Sequence, residues 1–85
     1  MNNTLANGLA LLAELSATAQ AHSVTELAGR LRVPKSHAHR LLQTLVEIGY
    51  AVQDGDRRYR IGLEPLAISK ALLANHPLRI AAMPL

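Results

Sequence analysis

The chain contains no cysteine. Disulfides, thiolate zinc sites and cysteine nucleophiles are therefore excluded together, and a reducing cytoplasm suits the composition. Phenylalanine and tryptophan are also missing and only two tyrosines are present, although 49% of the residues are apolar. The core must be packed from Leu, Ile, Val and Ala, a set that favours helices. No run approaches the roughly 20 apolar residues of a membrane span, and the N-terminus lacks the basic-then-apolar layout of a signal peptide. No Gly-rich phosphate cradle, nucleophile elbow or oxyanion-hole motif occurs, so Ser, His and Asp are present in composition only and an enzyme is not expected. The four histidines do not suggest a metal site. His37 and His39 are two apart and face opposite sides of a helix, whereas chelation wants a spacing of three or four. No cofactor is implied.

At 85 residues the chain makes one small domain. The net charge of +3 is modest, but its placement is not even. Arg30, Arg32, Lys35, Arg40, Arg57, Arg58 and Arg60 crowd the middle, where only Glu47, Asp54 and Asp56 oppose them. A basic surface of this kind points to an anionic partner.

In order along the chain, Asn3 or Thr4 is placed to cap a first helix running to about Ala19, with Leu5, Leu9, Leu12 and Leu15 on one apolar face and Asn7 and Glu14 solvated. The polar stretch AQAHS reads as a loop. Ser23-Val24-Thr25-Glu26 fits a capping box that opens a second helix ending near Leu31. Pro34, which lacks a backbone donor, marks the start of a third helix, and Gly49 closes it in a left-handed conformation. Within that helix Ala38, Leu41, Leu42, Leu45 and Ile48 make a buried stripe, leaving Lys35, Ser36, His39, Arg40, Gln43 and Glu47 outward. The period then changes to two. Tyr50 to Gln53 and Arg58 to Ile61 flank the turn signal Asp54-Gly55-Asp56-Arg57, predicting a β-hairpin with Tyr50, Val52, Tyr59 and Ile61 inward and Arg58 and Arg60 outward. A fourth helix is expected from Glu64 or Pro65 to Ala74, ended by Asn75, His76 and Pro77. The fold expected is mainly α with a small β-hairpin, three helices and a basic wing, a winged helix-turn-helix.

The stretches SVTELAGRL, VPKSHAHRLLQTLVEIGY and DRRYRIGLEPLAI resemble the N-terminal DNA-binding domain of the IclR (isocitrate lyase regulator) family of bacterial transcription factors. The most specific part is Pro34-Lys35-Ser36, then His39-Arg40-Leu41-Leu42-Gln43-Thr44-Leu45, Gly49-Tyr50 and Tyr59-Arg60-Ile61-Gly62. The resemblance implies a DNA-binding domain over 1–62, a linker helix over 63–77, and at 78–85 the start of a C-terminal domain that binds a small-molecule effector. It further implies a homodimer or higher oligomer on a double-stranded operator. Three positions depart from the family pattern. Arg32 stands where the turn usually carries Gly, at a steric cost of about 1 kcal/mol if the left-handed conformation is kept, with a phosphate contact as the alternative gain. Asn7 stands where a basic residue is common, and Ser36-His37 where Ser-Thr is usual.

Position then assigns candidate contacts. Arg40 can donate two bonds to guanine, with a phosphate contact or an ion pair to Glu47 as an equal alternative. Lys35 and Ser36 sit at a helix N-terminus that favours phosphate, although Ser36 can instead simply cap. His37 and His39 belong to the same candidate surface. Gln43 can pair with adenine or be solvated. Ser23 and Thr25 either touch phosphate or cap the second helix. Arg57, Arg58 and Arg60 would bind phosphate or enter the minor groove from the wing, or form a solvated charge run. The alternative to an operator-reading domain is a winged-helix interaction or dimerisation module, favoured by the exposed Leu and Ile expected on the fourth helix.

Overall fold

The computed structural model describes residues 2–75. Three helices, α1 (Asn3–Ser16), α2 (Val24–Leu31) and α3 (Lys35–Glu47), precede a hairpin of β1 (Ala51–Gln53) and β2 (Tyr59–Ile61), and α4 (Glu64–Asn75) follows. The winged helix-turn-helix expected from the sequence is present. Residues 76–85, on which the end of the linker and the start of a second domain were expected, lie outside the described residues.

The cap of α1 is Asn2, one residue earlier than expected, its Oδ1 accepting from the Leu5 amide at 3.0 Å. The helix also stops at Ser16, short of Ala19. Of the expected apolar face Leu15 is buried and Leu12 half-buried, but the rest of the packed row differs. Leu11 and Leu15 are buried and Asn7, one turn earlier on the same row, is half-buried, whereas Leu5 and Leu9 are exposed. The spacing i, i+4, i+8 selects this row, and Leu5, Leu9 and Leu12 are left facing Leu41, Leu45 and Ile48 of α3 across a groove of about 320 Å³.

Half of the expected capping box forms on α2. The Ser23 hydroxyl accepts from the Glu26 amide at 3.1 Å, while the Glu26 carboxylate turns to His22 Nδ1 at 2.8 Å and to Arg30 at 3.0 Å. At the far end Arg32 adopts φ 57°, ψ 44°. Its amide donates to Gly29 O (3.3 Å) and the Val33 amide to Ala28 O (3.1 Å), the two bonds that close a helix through a left-handed residue. The same pair ends α3, from Gly49 to Val46 O at 3.1 Å and from Tyr50 to Leu45 O at 2.8 Å, with Gly49 at φ 83°.

On α3, Ala38, Leu42 and Leu45 are buried and Leu41 half-buried as the periodicity requires, but Ile48 is exposed. The helix ends at Glu47 and Ile48 has left the helical φ,ψ, so it no longer continues the stripe. The hairpin pairs Ala51 with Ile61, Val52 with Arg60 and Gln53 with Tyr59. Directly opposed residues of antiparallel strands share a face. Tyr59 and Ile61 point inward as expected and Ala51, opposite Ile61, is buried with them, whereas Val52 beside Arg60 and Gln53 at the end of the strand are exposed. Tyr50 packs against the core as expected, so of the residues expected inward only Val52 is misplaced.

The AQAHS stretch does more than connect. His22 is buried and forms a bridge to β2, its amide donating to Tyr59 O at 2.8 Å and accepting the Tyr59 amide on its carbonyl at 2.7 Å. Leu11, Leu15, Leu27, Leu42, Leu45, Ala51 and Tyr59 form one core. By contrast α4 buries no residue, and Leu66, Ile68 and Leu72 are exposed along it. No described helix is long and apolar enough to cross a membrane.

Candidate nucleic-acid interface

The outer side of α3 begins with a helix start that has no side-chain cap. Pro34 occupies the cap position and makes no side-chain hydrogen bond, and no acidic residue lies in the first turn. The amides of that turn and the positive end of the helix dipole are therefore free to meet an anion. Ser36 does not serve as the cap. Lys35, Ser36, His39 and Arg40 are all exposed and line one shallow, open depression at this end.

The other candidates on α3 are turned elsewhere. His37 is half-buried with Nε2 3.4 Å from Asn7 Nδ2, so it faces α1 rather than the outer surface and points away from His39. Gln43 is half-buried and its amide donates to the Tyr59 hydroxyl at 2.9 Å. That bond runs from the third helix to the wing and occupies the group that would pair with a base. On α2, Ser23 is engaged as a cap, while Thr25 is exposed.

The wing tip is built around Asp54. Its Oδ1 accepts the amides of Asp56 (3.0 Å) and Arg58 (3.2 Å), its own amide donates to Arg58 O (2.9 Å), and its carbonyl accepts the Arg57 amide (3.2 Å). This three-residue loop needs a left-handed residue at its third position, and Arg57 fills it at φ 59°. Arg57, Arg58 and Arg60 are all exposed.

Charge pairing divides the basic residues. Arg30 is held by Glu14 at 3.1 Å and Glu26 at 3.0 Å. Among the described residues Arg32, Lys35, Arg40, Arg57, Arg58 and Arg60 have no carboxylate in ion-pair range, and the alternative pair of Arg40 with Glu47 does not form. The Glu26 carboxyl is held below its ordinary value, first by the hydrogen bond from His22, which outweighs the opposing effect of burial, and then by the charges of His22 and Arg30 and the Ser23 contact. Two contributors had no strong sequence signal. His22 sat in a polar stretch without periodicity. Arg32 was visible as one of the clustered cations and as a non-glycine in a turn, without a signal for its left-handed backbone.

The IclR helix-turn-helix domain model matches residues 4–55. The chain is 32% identical over 81 residues to the Pca regulon regulatory protein of Pseudomonas putida, covering 95% of this chain and 28% of that protein. Among solved structures, an IclR family transcriptional regulator from Brucella abortus superposes with a TM-score of 0.85 at 31% identity, over 96% of this chain and 32% of that one. Pseudomonas aeruginosa HmgR does so with a TM-score of 0.71 at 37% identity, over 91% and 34%. The chain thus spans about a third of the length of these relatives.

Proposed function

The chain belongs to the IclR helix-turn-helix family, a class of transcriptional regulator domains rather than of enzymes, and from that premise we propose that it reads a specific DNA operator with α3 in the major groove and the β1–β2 wing on the backbone or in the minor groove. The observation that carries this reading is the depression at the uncapped start of α3, where Lys35, Ser36, His39 and Arg40 stand together and both cations lack carboxylate partners. Arg40 reads a base, because its planar fork matches the two acceptors of guanine and is worth roughly 1 to 3 kcal/mol of discrimination. Lys35 and Ser36 hold phosphate at the helix N-terminus. Arg57, Arg58 and Arg60 supply backbone contacts from the wing, and Thr25 adds one from the start of α2. Gln43 and His37 act behind the surface, the first by fixing the wing and the second by fixing α1.

The domain works as a homodimer in the cytoplasm, with half-sites about one helical turn, roughly 34 Å, or a multiple of it apart. The unburied Leu66, Ile68 and Leu72 of α4 fit a linker helix covered in that dimer, and a small-molecule effector acts through a further domain of the longer protein. Regulation of transcription accords with the regulon regulator and transcriptional regulator that the chain resembles.

Selection from a randomised duplex library tests the division of labour. Arg40→Ala should relax preference at one or two base pairs, while Arg58→Ala should weaken all sequences alike. Wild-type binding that is insensitive to both sequence and salt would leave the interaction-module reading in its place.

A further inference from the structure

The described residues contain two non-glycine positions with positive φ, and both are arginine: Arg32 at 57° and Arg57 at 59°. Left-handed backbone crowds Cβ against the following carbonyl, and Asn or Asp relieve it by local hydrogen bonding where Arg cannot. The chain supplies its own comparison. The same closing motif ends α2 and α3, with Arg32 in the left-handed position of one and Gly49 in that of the other. At Gly49, with φ 83°, a Cβ would also lie 2.6 Å from Glu64 Cγ, so the side chain of Glu64 would have to move to admit any other residue. At Arg32 the residue is exposed, and a long cation occupies a place where glycine would relieve the backbone. The wing repeats the pattern, with Arg57 exposed in the left-handed slot of its loop and Gly55 two positions away outside it. Neither guanidinium has a carboxylate partner among the described residues.

Their placement is equally specific. Arg32 lies in the turn that leads into α3, two residues before its cap, and Arg57 lies at the tip of the wing. One precedes the recognition helix and the other lies at the tip of the wing that follows it. We propose that Arg32 and Arg57 are phosphate-contacting residues that bracket the recognition helix, kept in strained backbone because each tip must present a cation to the sugar-phosphate chain on its own side. The inference rests on the DNA-binding reading above and adds Arg32 to the contact surface. Both turns require left-handed backbone, but nothing around either residue requires a side chain in place of glycine, so the choice of arginine is assigned to function.

Salt titration on a mixed-sequence duplex of about 24 base pairs tests this with the intact chain, since backbone contacts need no operator. Each phosphate contact contributes about 0.9 to the slope of log K against log salt. Arg32→Gly and Arg57→Gly should each lower the slope by about 0.9 and weaken binding about eightfold near 0.1 M salt, the share of one contact if the electrostatic gain vanishes at 1 M. Both variants should melt no lower than wild type, so a binding loss is not a folding loss. Arg32→Lys and Arg57→Lys, which keep the charge, should retain the wild-type slope. Unchanged slopes in the glycine variants, or equal losses in the lysine variants, overturn this inference and leave the DNA reading standing. A flat wild-type response overturns both.

Discussion

The bond between Gln43 and Tyr59 decides whether Gln43 belongs to the DNA surface or to the scaffold, and a double-mutant cycle measures it. Tyr59 is 1% exposed and its hydroxyl accepts the Gln43 amide at 2.9 Å. Tyr59→Phe keeps the ring packed among the core leucines and removes one hydrogen bond from a half-buried amide that water can still reach. The cost should be about 0.5 to 1.5 kcal/mol. Gln43→Leu leaves the buried hydroxyl without its partner, a penalty of about 1 to 3 kcal/mol. With both replaced, neither polar group remains, so the double variant should be more stable than the sum of the single losses allows, with a coupling near 1 kcal/mol. In a domain of this size 1 kcal/mol moves the thermal midpoint by about 4 to 8 °C, well within the reach of circular dichroism melts on the four proteins. Additivity to within about 0.3 kcal/mol would refute the bond. So would a Gln43→Leu protein with an unchanged melt and an altered preference at a single base pair, the behaviour of a base-reading amide.

Two further outcomes follow from local geometry. The Glu26 carboxyl is held below its ordinary value of 4.5, so its charge stabilises the fold above that pH and the contribution is lost as pH falls from about 4.5 through the lowered folded value. Glu26→Gln should therefore melt lower at pH 7 yet lose less between pH 5 and pH 3 than wild type does, and parallel melting curves for the two would reject the linkage. Glycines should split in sign: a Cβ at buried Gly62 would run into the Gly49 carbonyl and lie 3.0 Å from Tyr50 C, all backbone, whereas at Gly8 it meets nothing within 4 Å. Gly62→Ala should cost about 1 to 3 kcal/mol and Gly8→Ala should gain up to about 1 kcal/mol, both read as shifts of the thermal midpoint.

Which parts were legible in the sequence follows from the range of the forces involved. The starts and ends of α2 and α3 were readable because Ser23, Pro34 and Gly49 act within one turn of themselves, through caps and left-handed closure. The apolar stripe of α3 was readable up to the point where the helix stops, and Ile48 was misplaced because its burial depended on one more residue of helix. Local signals placed Leu15 but could not choose Leu11 over Leu5 and Leu9, since leucines occupy adjoining rows and only packing in the shared core with α2, α3 and the hairpin selects between them. The facing of Val52 failed for the same reason. Alternation in Tyr50 to Gln53 admits two phases, and the partner strand chooses between them. On the interface, Lys35, Ser36, His39, Arg40 and the wing arginines stand exposed as their spacing suggested. Gln43 and His37 do not, because their partners Tyr59 and Asn7 lie 16 and 30 residues away.

Those long-range bonds also bear on how the surface works. The wing is a two-stranded ribbon, which alone is marginal in water. It is secured on one side by the paired main-chain bonds of His22 to Tyr59, 2.8 and 2.7 Å, and on another by Gln43 reaching the same residue from α3. Tyr59 thus ties β2 to the loop before α2 and to the recognition helix at once, while its neighbours Arg58 and Arg60 point outward. The main chain that carries those cations is consequently held against α3 in the free protein, and the ordering left for binding lies in the exposed side chains themselves. A contact surface assembled in this way keeps its spacing only while Tyr59 stays seated. Loss of the Gln43 bond should therefore weaken the wing contacts on every sequence alike and leave the base preference of Arg40 intact, which separates the support of the surface from its reading of sequence.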